Sequence, residues 1–295
     1  MAEPAVSPVV SVVVPCLNVV DVVDAQLKAL AQQDLGAPFE VLLADNGSSD
    51  GLRERVPDWA RTFGLDLHWV DASAVRGVSA ARNAGLRAAR ADLVAVCDAD
   101  DEVVPGWLRA LVTAAADAAV VGGVNETTQI NDAIRTTWRP GPPAGRLPTK
   151  LDFLPYAVGC NLAVHRDAAL AVGGWDETYV AGGDDVDFSW RLQLAGHELA
   201  LAPGAVVHYR YRTDLRGTAR QFRHYARSEA RLLRDFREQG ARPSRPSRSA
   251  REAKWLVRHA HHLARDEAQR GRWICRAATL LGRLEGARTY RCWVG

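Results

Sequence analysis

Hydrophobic and polar positions along this chain fall into two alternating rhythms. Short β-branched and aliphatic runs, the mark of strands buried on both faces, stand at 9–15 (VVSVVVP), 39–45 (FEVLLAD), 65–72 (LDLHWVDA), 91–97 (ADLVAVC) and 119–126 (AVVGGVNE). Between them, apolar residues at helical spacing predict helices over 21–33, 52–63, 77–90 and 105–118. The second of these is expected to break at Pro57, and the proline of the fourth suits a helix start. Strand and helix alternate four times, which predicts a Rossmann-like, mostly parallel α/β sheet flanked by helices. Ligands bind such sheets at the carboxyl ends of the strands, where Asp45 and Asp98 fall.

Further on, the Pro- and Gly-rich stretch 139–150 (RPGPPAGRLPTK) reads as a surface loop. Residues 158–212 bring a short strand, a helix, a glycine turn, a second helix over 184–195 and a last strand ending at His208. From Asp214 the pattern changes to arginine-rich amphipathic helices, split by GARPSRPSRSA, a flexible linker by composition. The body is therefore placed at 1–212 and a helical basic extension at 213–295.

Composition sharpens that division. With 47% hydrophobic and 24% charged residues, the 295-residue chain is globular rather than disordered. Its net charge of +2 hides two halves of opposite sign: residues 1–209 carry 15 Lys+Arg against 27 Asp+Glu (net −12), and residues 210–295 carry 22 against 8 (net +14). A basic extension suits an anionic partner, either a membrane surface or a phosphate-bearing substrate. Its apolar stripe, Phe222, Tyr225, Ala226, Leu232, Leu233 and Phe236, favours packing onto the acidic body instead. Aromatic residues there are too sparse and too helically spaced for a nucleic-acid stacking platform.

Five widely spaced cysteines with no C-x-x-C pair predict reduced thiols, hence a cytoplasmic protein, with peripheral contact at the inner membrane face left open through 213–295. Cys16 and Cys97 read as small core residues, and no metal site is expected from the cysteines. The N-terminal apolar run is preceded by an acid and a proline and is too short to span a bilayer.

The stretch VAVCDADDEV poses the chemical question. Asp98, Asp100, Asp101 and Glu102 crowd the end of a strand, and such carboxylates repel one another unless something positive sits there. Asp98 and Asp100, one residue apart, can share a hard divalent cation and leave room for phosphate oxygens. His208, at the end of another strand, adds an imidazole, giving a set suited to Mn2+ or Mg2+ holding a diphosphate. In GGDDVDFSWR, Asp184, Asp185 and Asp187 open a helix; capping explains one of them but not three. A carboxylate among others suits a general base, while Arg191 stands at i+4 to pair with Asp187. Arg82, after a glycine at a helix start, can reach a phosphate.

Taken in order, VSVVVPCLN, DNGSSDG, GVSAARNAGLRAARADLVAVCDADD, GCNLAVHRDAALAVGGWDE, GGDDVDFSWRL and VVHYR resemble a family 2 glycosyltransferase of the GT-A fold over roughly residues 9–210. The resemblance implies an inverting transfer from a nucleotide diphosphate sugar, with a nucleotide-sugar half at about 1–125 and an acceptor half at about 126–212. Pro15, Asn18, Asp45, Arg82, Asp98 and Asp100 would bind the donor, Asp45 reading the base. Asp98, Asp100 and His208 would hold the metal. Asp185 would be the catalytic base beside Asp184, which stands where glutamate is commoner. Trp175, Asp176 and Glu177 would shape the acceptor side, for a carbohydrate, lipid-linked or natural-product acceptor. Leu17 departs from the pattern, since many relatives carry an aromatic residue there to stack on uracil. A UDP-sugar is favoured; dTDP- or GDP-sugars, and an inactive sugar- or nucleotide-binding module on the same scaffold, are the alternatives.

Overall fold

The computed structural model describes residues 7–139, 141, 145–180, 182–243 and 247–295. Positions 1–6, parts of the 139–150 loop (140 and 142–144) and the centre of the linker (244–246) lie outside the described residues. Strands β1 (Val10–Cys16), β2 (Phe39–Asp45), β3 (Asp66–Asp71) and β4 (Leu93–Cys97) pair in parallel, with Val12 opposite Val41 on one side and Ala95 on the other. Helices α1 (Val23–Ala31), α2 (Leu52–Phe63) and α3 (Val78–Ala88) make the crossovers. The chain then returns through β5 (Glu102–Val103), α4 (Trp107–Ala114), β6 (Val120–Glu126), α5 (Ala133–Trp138), β7 (Asn161–His165), α6 (Arg166–Ala171), α7 (Asp184–Leu194) and β8 (Leu199–His208). These complete an eight-stranded sheet of order β3-β2-β1-β4-β7-β6-β8-β5, in which β7 is antiparallel to both neighbours and β5 antiparallel to β8.

Burial explains the uninterrupted apolar strands. Val12 and Val14 pack on one side of the sheet with Leu27, Trp59 and Leu108, while Val13 and Val96 pack on the other with Leu86 and Phe188. A strand covered on both faces needs apolar residues at every position.

Two expectations need correcting. Helix α2 runs unbroken through Pro57, because the proline lies on the exposed face and the missing N–H frees only the carbonyl of Arg53, which belongs to an equally exposed residue. Helix α5 was not anticipated; Asp132 caps it by accepting from the Arg135 N–H at 2.7 Å.

The extension forms α8 (Leu215–Phe236), α9 (Ser247–Arg258), a 3₁₀ turn (Ala260–Ala264) and α10 (Glu267–Tyr290). Ala230, Leu232, Leu233 and Phe236 of α8 share a core with Val186 and Trp190 of α7, and the Trp190 and Phe236 rings meet edge to face at 5.1 Å. Each large side chain so buried contributes roughly 1.5–3 kcal/mol. The stripe of α8 is thus spent on the body. Among the described residues no helix is long and apolar enough to cross a membrane.

Candidate active site

A cleft of about 900 Å³ opens where β4 ends, and Arg82, Asp98, Asp100, Asp184 and Asp185 all line it. The acidic turn between β4 and β5 is held from below by Gln26 of α1, which is fully buried. Its Nε2 donates to the Asp98 carbonyl (3.1 Å) and its Oε1 accepts from the Val103 N–H (3.0 Å), so one amide spans the turn. Arg210 wraps the outside, its backbone N–H donating to Asp101 Oδ1, Nε to the Asp100 carbonyl and Nη2 to Glu102 Oε1, each at 2.7 Å. From the inside, Arg82, only 5% exposed, pairs with Asp184 at 2.6 Å and with Asp98 at 3.4 Å.

The crowded carboxylates are therefore answered mainly by arginine. Asp98 and Glu102 have guanidinium partners and Asp101 takes a backbone N–H. Asp100 opens to the cleft with no ion pair among the described residues. The surrounding protein, and then Asp98, push its carboxyl above the ordinary range.

A cation fits beside this turn. Asp101 is 1% exposed and its Oδ2 has no hydrogen-bond partner. An unsatisfied buried carboxylate oxygen is costly in a protein interior, and a divalent ion would satisfy it. Among the described residues, two sets converge within 4.8 Å, namely Asp98 with Asp101 and Cys160, and Glu40 with Asp66 and His68. Arg90 already bridges Glu40 and Asp66 in the second. Asp98, Asp100 and His208 do not form such a set. His208 lies across from Glu126 in the β6–β8 register and does not line the cleft. Cys160, in contrast, stands nearer the acids than the sequence suggested, although burial pushes its thiol well up.

Helix α7 delivers the second group of acids. Its N-cap, Gly183, has φ 90°, a left-handed conformation that favours glycine. Asp184 faces inward to Arg82; burial raises its carboxyl to about 6, with Arg82 pulling against this and Asp185 adding to it. Asp185 faces the cleft, its Oδ2 accepting from the Gly159 N–H (3.2 Å) and its Oδ1 from the Val186 N–H (2.9 Å). A Cβ at Gly159 would lie 2.7 Å from Arg82 Nη1, so the guanidinium would have to shift. Asp187 pairs with Arg191, which also donates to the Val172 and Gly174 carbonyls, so this third acid braces the fold.

The remaining expected site residues lie outside the cleft lining. Asp45 accepts from the Ser48 N–H (2.8 Å) and Trp69 Nε1 (3.0 Å); burial works to raise its carboxyl, but these bonds outweigh it and hold the group below the ordinary range. Pro15, next to last in β1, pairs with Ala44 while Cys16 pairs with Asp45, and Asn18, at φ 52°, ties the first loop to Ser48 and Ser49. Leu17 is 46% exposed. Trp175 is 1% exposed and stacks on Phe188 at 4.0 Å. Asp176 pairs with Arg231, and Glu177 accepts from Asn83. The GGWDE turn therefore builds the wall behind the site rather than its lining. Sequence reasoning missed Gln26, whose signal was a polar residue on the apolar face of α1, and also Arg139, Lys150, Tyr156, Tyr209 and Tyr225, which line the cleft.

The sequence profile described as glycosyl transferase family 2 matches residues 11–173, and that of glycosyl transferase family group 2 matches 149–278. A pre-mycofactocin glycosyltransferase of Mycobacterium tuberculosis is 35% identical over 170 residues, 53% of this chain and 35% of that protein. Glycosyltransferase AglE of Haloferax volcanii is 28% identical over 66% of this chain and 64% of that one. The chain thus spans less than two thirds of the length of these relatives. A mannosyltransferase from Pyrobaculum calidifontis, solved with GDP-Man and Mn2+, superposes with TM-score 0.64 at 20% identity, covering 96% of this chain and 88% of that chain. Staphylococcus aureus TarS with UDP-GlcNAc gives 0.56 at 15%, covering 97% and 93%. These likenesses establish the fold as GT-A.

Proposed function

The chain belongs to glycosyl transferase family 2, and we propose that it moves a sugar from a nucleoside diphosphate sugar, a UDP-sugar first, to an acceptor hydroxyl by single displacement with inversion. The observation that carries this reading is one cleft lined by Asp98, Asp100 and Asp185, with Asp184 and Arg82 locked behind them. Asp185 takes the proton from the acceptor hydroxyl, whose oxygen attacks the anomeric carbon while the bond to the diphosphate breaks. Two backbone N–H groups fix the Asp185 carboxylate without spending a side-chain cation on it. Arg82 holds Asp184 and Asp98 at fixed spacing, so the base and the acidic turn keep their separation. Asp98 and the free oxygen of Asp101, which converge with Cys160, would hold a divalent cation in the turn that Asp100 borders, and the ion would supply positive charge to the leaving diphosphate when bound.

Leu17 favours a second donor reading, since an aliphatic side chain gives uracil no ring to stack on; GDP- and dTDP-sugars are then served as well. Titrating the protein with UDP, GDP and dTDP, each with Mn2+ or Mg2+, tests both readings. Metal-dependent binding of one nucleotide over the others is expected. Binding of none would reject the transferase reading.

A further inference from the structure

Charge in the cleft is distributed unequally. At the strand ends the carboxylates are matched by Arg82 and Arg210. Arg139, Lys150, Arg212 and Arg220 line the same cleft, and among the described residues none of them has a carboxylate within salt-bridge distance, although Arg212 is near enough to Asp100 to lower its carboxyl. Arg139 is wrapped by phenol rings instead, with Tyr209, Tyr211 and Tyr225 centred 5.1, 5.5 and 5.7 Å from its guanidinium carbon. Among the described residues its hydrogen-bond acceptors are neutral, Tyr209 Oη at 3.4 Å and Gln221 Oε1 at 3.3 Å. Lys150 stands 5.9 Å from the Tyr156 ring centre. Aromatic faces soften the desolvation of a cation but do not neutralise it, so the field of these groups reaches into the cleft.

The position of this wall identifies what it serves. Lys150 and Tyr225 are close enough to Asp185 to feel its charge, and all three line the cleft together. Arg82 is already engaged by Asp184 and Asp98, with only its buried Nε left without a partner. Tyr225 and Arg220 come from α8, so the extension supplies part of the wall.

We infer that Arg139, Lys150 and Arg220 form an anion subsite for the acceptor, which therefore carries a phosphate or carboxylate group within reach of the hydroxyl that Asp185 deprotonates. This assignment rests on the transferase reading above. It separates two uses of negative charge in one cleft: the donor diphosphate at the acidic turn, where a cation bridges it, and the acceptor anion on the arginine and lysine wall.

Calorimetric titration of the full chain tests it, with glycerol 3-phosphate as the probe and glycerol as its uncharged control. The nucleotide found to bind, with Mn2+, is first added to saturation so that the donor site is filled. Glycerol 3-phosphate is expected to bind this loaded protein and glycerol not to bind. Lys150→Gln and Arg139→Gln should each weaken the phosphate about tenfold, the loss of one charge-assisted hydrogen bond. Where Arg139→Gln does not fold, the exposed Arg220→Gln takes its place, with a smaller loss in the same direction. If the nucleotide binds but glycerol 3-phosphate does not, or competes with the nucleotide, or binds the variants as tightly as the parent, the subsite is refuted while the transferase reading stands. Failure of every nucleotide to bind sinks the transferase reading and the acceptor assignment with it. A parallel sedimentation with phosphatidic acid vesicles against phosphatidylcholine vesicles separates the sources. Retention on phosphatidic acid that Lys150→Gln reduces places the anion on a lipid headgroup; probe binding without retention places it on a soluble acceptor.

Discussion

The two walls of the cleft hold like numbers of charges in different ways. On the acidic wall nearly every group has a short, directed partner: Arg82 to Asp184, Arg210 to Glu102, Gln26 to both ends of the turn. On the basic wall Arg139 rests on rings and an amide, and among the described residues none of the wall's cations has a carboxylate in salt-bridge contact. A fully partnered wall is rigid and sets geometry; an unpartnered one holds electrostatic free energy that a ligand can release. The difference teaches which side positions the reaction and which side waits for substrate.

The strongest test of the rigid wall is its open carboxylate. Asp185→Asn should lower turnover about a thousandfold, within the range for loss of a general base, while nucleotide affinity stays within a few-fold. A variant that turns over like the parent would remove Asp185 from the mechanism. Next, Asp100→Asn should raise the Mn2+ concentration needed for half-maximal nucleotide binding by roughly 10–100-fold; an unaltered metal requirement would move the cation elsewhere in the turn. Gly159→Ala then probes the partnering itself. Its methyl group would press on Arg82, and about a tenfold loss of activity with the fold intact by circular dichroism is expected if the Arg82–Asp184 spacing matters.

The pH response has two signs. Asp184 is raised in the folded chain, so it binds its proton there before the unfolded chain does. Its stabilising contribution is complete below 3.8 and is lost as pH rises through about 6. Activity should move the opposite way, falling as pH drops through about 6, because protonation uncouples Arg82. Melting temperature and rate measured across pH 4–7 check both limbs, and parallel curves would contradict the assignment. The smallest effect belongs to the seam between the walls. Arg231 lies on the Tyr179 ring at 3.6 Å and donates to the Thr178 carbonyl and to Asp176. Arg231→Gln should lower the melting temperature by about 2–4 °C, the equivalent of about 1 kcal/mol in a chain of this size.

Much of the rigid wall was legible in the sequence and little of the basic one. Strand ends announce themselves, since FEVLLAD and LVAVC stop at acids that the parallel topology gathers at one edge. The acids of α7 were equally visible, although the sequence could not say that Asp184 turns inward while Asp185 turns out. His208 lies outside the cleft lining, since the alternation of a strand leaves open which way its last residue faces. Trp175 was expected to shape the acceptor side and is buried against Phe188, a pairing between residues that only the fold brings together. Arg139 and Lys150 flank a stretch of prolines and glycines with no periodicity to place them, and Tyr225 sat in a stripe of which Leu232, Leu233 and Phe236 face the core.

Helix α7 belongs to two cores at once. Phe188 and Leu192 lean on the sheet, while Val186 and Trp190 lean on α8. It works as a keystone, so grafting the carboxyl-terminal helices of one relative onto the body of another would disturb the base unless the outer face of this helix travels with them.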